Sequence, residues 1–133
     1  MLTVKTIIEK TYALWGAAVS AVVGNNYSME NSTTVSKLPY ASMYFQGLPT
    51  SGSTLEGEES AITPTLQIDI YTNGQTALTK AYEIDEISHS ALLSAGYRRS
   101  FGPELLQNVD PSIKRLTSRY TRLWGLGDSF PSS

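Results

Sequence analysis

The feature that most constrains the fold is the segment Thr65 to Tyr71 (TLQIDIY), where apolar and polar side chains alternate without a break. With a period of two residues, Leu66, Ile68 and Ile70 fall on one side of an extended chain and Gln67, Asp69 and Tyr71 on the other. Such a strand has one face for a core and one for something wetter, so an amphipathic cover is needed. The N-terminal stretch supplies it. From Leu2 to Val23, residues Val4, Ile7, Ile8, Tyr12, Trp15, Val19, Val22 and Val23 recur at spacings of three and four, one stripe of a helix. The opposite side carries Lys10 with Ala13, Ala17 and Ala21, and the alanines are small enough to let another surface approach. Gly24, followed by Asn25 and Asn26, ends this helix, because glycine takes the left-handed conformation without penalty.

The remaining elements follow from the same patterns. Residues Asn25 to Lys37 are polar and read as loop, after which Pro39 to Gln46 alternates, with Ala41, Met43 and Phe45 on one face and Tyr40, Ser42, Tyr44 and Gln46 on the other. Gly47 to Thr63 is rich in Gly, Ser, Thr and acid and reads as a long mobile hairpin loop. Asn73 and Gly74 form a turn. Asn73 is the expected cap of a helix from Gln75 to Ala95 whose inner face holds Ala77, Leu78, Ala81, Ile84, Ile87, Ala91 and Leu92. Gly96 closes it. Tyr97 to Phe101 reads as a strand that Gly102-Pro103 interrupts. The last element is ambiguous: Ile113, Leu116, Tyr120, Leu123 and Trp124 stand at helical spacing, yet Thr117, Ser118, Tyr120, Thr121 and Trp124 favour a strand from Lys114 to Trp124. Residues after Gly125 lack periodicity. The expected architecture is α+β, with the order α-β-β-α-β-β. A mostly antiparallel sheet of about four strands carries two helices on one face. Residues 1–125 form a single domain, the loop at 47–63 is mobile, and 126–133 form a flexible tail.

Charge and composition narrow the functional classes. Charged residues make up 17% of the 133-residue chain, against about 25% in ordinary soluble domains. That shortage suggests surface given over to neighbours. A formal charge of -2 offers no global attraction to DNA or an anionic membrane. With no cysteine and one histidine, His89, neither thiolate chemistry nor a His-rich metal site is available, and no cofactor is implied. Ala13 to Val23 resembles the apolar part of a signal peptide, but its stripe continues upstream through Ile7 and Ile8 and beside Lys5, Glu9 and Lys10, so it reads as a folded helix. The run is shorter than the ~20 residues that cross a bilayer.

No constellation of reacting groups emerges. Gly125-Leu126-Gly127 lacks the strand and helix of a phosphate-binding loop, and Ser51-Gly52-Ser53 has no histidine and acid to activate it. Asp85 and Glu86 point in different directions and read as solvated charge; His89 reads as a surface residue without partners. Glu56, Glu58 and Glu59 cluster in the loop, where they would repel DNA or meet a basic partner. Arg98, Arg99, Lys114, Arg115, Arg119 and Arg122 concentrate positive charge in the last third. As a strand, the terminal element puts Arg115 and Arg119 on one face, and salt bridges between subunits to the acidic loop are the favoured use. Tyr82, Glu86, His89 and Leu93 form a mixed row on the outer side of the second helix, of the kind that contacts a neighbour.

Gln67 to Tyr71, a polar turn, a helix, Gly96-Tyr97-Arg98-Arg99 with Phe101-Gly102-Pro103-Glu104, and a terminal Arg115 to Trp124 together resemble the tail terminator, or tail completion, proteins of long-tailed bacteriophages. The resemblance covers about residues 62–125. It implies a virion subunit of the tail or neck, assembled in the host cytoplasm. That subunit would form a ring, usually a hexamer, stopping growth of the tail tube protein and meeting the head–tail connector, with DNA only as passing cargo and no membrane. It implies no catalysis. The two patches expected at the ring contact are the Tyr82, Glu86, His89, Leu93 row and the sheet side bearing Arg115 and Arg119, with Glu56, Glu58 and Glu59 facing a partner or the lumen. A neck subunit is the nearest rival reading, and a small ligand-binding domain a more distant one.

Overall fold

The computed structural model describes residues 3–29, 37–47, 50–51, 61–107, 110–125 and 128. Helix α1 (Val4–Val23) starts at Thr3, whose Oγ1 accepts from the Thr6 amide at 3.1 Å, and stops at Gly24 with a positive φ of 64°. Strand β1 (Tyr27–Ser28) follows in the stretch expected to be loop, then β2 (Tyr40–Gly47), β3 (Thr50–Ser51), β4 (Ala61–Ile62) and β5 (Thr65–Asn73). Helix α2 (Ala77–Ser94) leads to β6 (Arg98–Leu106), β7 (Ile113–Thr121) and β8 (Trp124–Gly125).

The α+β class and the principal order are as expected, while the sheet is larger. It has five strands in the order β1-β2-β5-β7-β6, with β1 parallel to β2 and the rest antiparallel, so it is mixed. A second, three-stranded sheet joins β3, β4 and β8. The two-residue strands escape sequence reading because period-two alternation needs four or more residues to register.

The terminal element is a strand, but it ends at Thr121, and Trp124 belongs to the small sheet opposite Ile62. Nor does Gly102-Pro103 end β6. Its cis peptide and the Gly102 φ of 88° sit inside the strand, within the register shift between Phe101 and Glu104 that bulges it against β7. A Cβ on Gly102 would lie 2.4 Å from the Thr117 carbonyl, so only glycine fits that approach. Asn73 is not a helix cap: it is the last residue of β5, paired with Ile113, and the helix begins after Thr76 without a side-chain cap. The turn is held instead by Thr72, whose hydroxyl donates to the Ala77 carbonyl at 2.6 Å.

The core lies between the helices and one sheet face. Leu66, Ile68 and Ile70 of β5 meet Ile7, Trp15 and Val19 of α1 and Ala81, Ile84 and Leu92 of α2 in a single buried cluster. Helix α1 covers β1 and β2; α2 covers β5 and β7 and reaches part of β6. Tyr27 packs so close that a Cβ on Gly16 would lie 2.5 Å from its ring, which explains a glycine in the middle of α1. In α2 the buried arc comprises Ala77, Ala81, Ile84, Asp85, Ser88 and Leu92, turned from the expected one. Leu78, expected on the inner face, is correspondingly exposed.

Candidate interaction surfaces

Beneath α2 lies a polar cluster. Arg99 of β6 donates from Nη2 to both carboxylate oxygens of Asp85, at 2.9 and 3.0 Å, and from Nη2 and Nε to the Tyr120 hydroxyl at 2.6 and 3.0 Å. Two guanidinium N–H groups thus occupy the phenol oxygen's lone pairs, so the phenol proton points to His89 Nδ1, 2.9 Å away. Burial pushes the Tyr120 hydroxyl up to about 12 although Arg99 opposes it. Burial, helped by the Arg99 cation, holds His89 below its ordinary value. The imidazole is therefore neutral at pH 7 and accepts at Nδ1. Asp85, expected as solvated charge, is buried and ion-paired, and His89, expected to lack partners, has one. Both corrections share a cause: Arg99 cannot lie under the helix without a carboxylate beside it.

The opposite face of the sheet, which no helix covers, is also polar, and its groups bond within the chain except for the buried Nε of Arg115, which has no hydrogen-bond partner among the described residues. Asp69 is fully buried, accepting from Thr117 Oγ1, from Arg115 Nη2 at 3.3 Å and from Gln67 Nε2 at 3.2 Å. Gln67 Oε1 in turn accepts from Arg119 Nε at 3.1 Å and Gln46 Nε2 at 2.9 Å. The guanidinium of Arg115 stands 5.8 Å from the Tyr71 ring centre and that of Arg119 5.1 Å from Phe101. Arg115 and Arg119 share one sheet face, as alternation requires, but each has its partner within the same chain.

The row on α2 divides. Tyr82, Glu86 and Leu93 are exposed, while His89 turns inward to Tyr120. Glu56, Glu58 and Glu59 lie outside the described residues. The exposed large apolar side chains among the described residues are Leu78, Tyr82, Leu93, Phe101, Leu105 and Leu123. All belong to α2, β6 or the turn after β7, on the side of the fold away from β1. The exposure of Leu105 and Leu123 was not legible in the sequence, since one falls past the expected end of its strand and the other beside buried Trp124.

Two concavities flank α2. A cleft of about 520 Å³ lies at its C-terminal end, bounded by Leu93, Gly96, Arg98, Arg122 and Leu123 among others. A groove of about 620 Å³ runs along its other flank, lined by Ala18 and Ala21 of α1 and Glu86, Ile87, Ser90 and Ala91 of α2. Among the described residues, no three His, Asp or Glu side chains come together as a metal site, and no helix is long and apolar enough to cross a membrane.

No family model matches this sequence, and no curated protein matches it. Among solved structures it is similar to a chain in the virion of a native gene transfer agent particle, with a TM-score of 0.58 over 84% of this chain and 88% of that one. The two share a fold. At 13% identity the likeness lies in the arrangement of helices and strands rather than in side chains.

Proposed function

We propose that this chain is a structural subunit of a phage-like particle, one copy in a ring that caps a tail tube and joins it to the head connector. The observation that carries this reading is the fold shared, nearly end to end, with a chain of a gene transfer agent virion. The motifs of residues 62–125 favour the tail terminator role within that broader class. The surface supports assembly. The large apolar side chains left in water among the described residues belong to α2, β6 and the turn after β7, elements that a neighbouring subunit could cover. Repeated contact between two unlike patches closes into a ring when the rotation allows it. The expected hexamer, the tube and connector partners, the contact row at Tyr82, Glu86, His89 and Leu93, and a place in the tail or neck belong to this proposal.

The test is to polymerise tail tube subunits with and without the purified protein and image the products. Tubes of limited length carrying a ring at one end are expected. Tubes of unchanged length with bare ends would refute the terminator role, and binding to the head connector alone would make the chain a neck subunit.

A further inference from the structure

His89 sits where the polar cluster beneath α2 meets the outer row of the helix. Its ring is half-buried, while Tyr82, Glu86 and Leu93 of the same row are exposed. On the inner side it faces Tyr120 of β7, whose hydroxyl donates to Nδ1 at 2.9 Å, with Arg99 of β6 behind that hydroxyl. The phenol oxygen has no capacity left for another donor, because Arg99 donates to it from both Nε and Nη2. On α2 itself two acids lie one turn earlier. Asp85 is buried and held by Arg99 and Ser118, whereas Glu86 is exposed and in no ion pair among the described residues. Helix α1 meets α2 through Trp15 and Ser88, and the charges that act on the imidazole are those of Arg99 and Asp85.

We infer that a proton turns His89 outward, from the Tyr120 hydroxyl to the Glu86 carboxylate, so that acid changes the charge of the α2 surface while the helix stays docked. A proton taken from water onto Nδ1 leaves the ring with two donors and no acceptor. Both lone pairs of the Tyr120 oxygen are already occupied, and the new imidazolium faces the Arg99 guanidinium, whose own acid, Asp85, is committed to it. Staying inward therefore costs a hydrogen bond and sets two cations together. Turning outward costs little, because the ring is at the surface edge of the cluster and Glu86 stands at the i, i+3 spacing that lets side chains on a helix meet. The Asp85–Arg99 pair keeps its geometry, and water entering behind the ring accepts the phenol proton. The row thus presents a single negative charge while His89 is neutral and an ion pair once it is protonated. A partner seated on Tyr82, Glu86 and Leu93 meets a different surface in the two states. The device works within one copy and does not depend on the ring reading above.

Magnetic resonance of the full chain at low salt tests this, with the His89 ring followed from about pH 8 to about pH 5, across the ordinary imidazole range. At the upper end the ring proton is expected on Nε2, with the His89 and Tyr120 rings in contact. That ring contact is expected to disappear along the same titration curve as the ring shifts, while the contact between Trp15 and Ser88 persists. Glu86→Gln removes the outer acceptor at an exposed position, so its melt at neutral pH is expected to match the original. The His89 midpoint in that variant is expected to fall by about 0.2–0.4 of a pH unit, the worth of an i, i+3 pair, and about 1 M salt is expected to erase the difference. A ring contact with Tyr120 that survives protonation, or equal midpoints with and without the Glu86 carboxylate, would overturn the inference. So would loss of the Trp15–Ser88 contact at the His89 midpoint, because the proton would then undock the helix rather than turn one side chain.

Discussion

On the helix-covered face of the sheet, Asp85 comes down from α2 to meet Arg99 and Ser118 on two different strands, so its bonds tie one layer to another. On the open face, Asp69 is part of the sheet itself and is held by side chains of its own and the adjoining strand, Gln67, Arg115 and Thr117. Both carboxylates are buried, yet only the first depends on tertiary docking. The open face can reorganise along strands that remain paired. The covered face cannot, because Arg99 has α2 above it. Both faces use their arginines internally, which moves the search for an interface from the sheet faces to the flanks of α2.

The largest expected effect belongs to the covered face. Trp15 is fully buried, and its Nε1 donates to Ser88 at 2.8 Å, linking α1 to α2. Trp15→Ala is expected to cost about 3–5 kcal/mol in urea unfolding, through the cavity it leaves and an unpaired Ser88 hydroxyl. A loss below about 1 kcal/mol would mean that the helices are not docked through this residue.

Next comes the pair of aspartates. Asp85→Ala strands a largely buried guanidinium and is expected to cost roughly 3–4 kcal/mol. Asp69→Ala is expected to cost less, roughly 1–3 kcal/mol. Thr117 has an alternative acceptor in the Ile68 carbonyl at 3.3 Å and Arg115 can turn outward from the open face, which leaves the Gln67 Nε2 donor as the group that loses its acceptor. Equal losses in the two variants would break the distinction between the faces.

This polar architecture was the part least legible in the sequence. The strand at Thr65 to Asn73, both helices and the strand choice for Ile113 to Thr121 follow from periodicity, because burial on one side imposes a repeat on neighbouring residues. Asp85, Arg99, Tyr120 and His89 come from three elements, and no local repeat records their meeting. Asp85 beside Glu86 looks like ordinary helix surface until α2 is known to be rotated toward β6. The Arg115 and Arg119 pairing was legible as shared facing but not as engagement with Asp69 and Gln67, since strand register is a tertiary fact.

Titration sharpens the comparison further. The Tyr120 hydroxyl keeps its proton to about pH 12 in the fold, whereas an exposed tyrosine loses it near 10. The folded value is raised, so this contribution is fully present below pH 10 and disappears as pH rises from 10 through about 12. It amounts to roughly 3 kcal/mol, and Tyr120→Phe is expected to flatten that part of the stability curve. His89 shifts the other way. Its folded value is lowered, so its contribution holds above the ordinary imidazole value near 6.5 and is lost as pH falls below it. As the chain has one histidine, its proton resonances report this without assignment, and a midpoint above 6.5 would contradict the buried Tyr120–His89 bond.

The smallest expected effect carries the most information about assembly. Arg119 is exposed, rests over Phe101 and donates one bond to Gln67, which also accepts from Gln46. Arg119→Ala is expected to change stability by about 0.5 kcal/mol or less, since Gln67 keeps a donor and water reaches the site. Rings are expected to form at unchanged concentration, whereas Leu93→Arg on the α2 flank is expected to weaken them with the monomer still folded. The opposite result, rings lost with Arg119→Ala and retained with Leu93→Arg, would make the open face the contact surface.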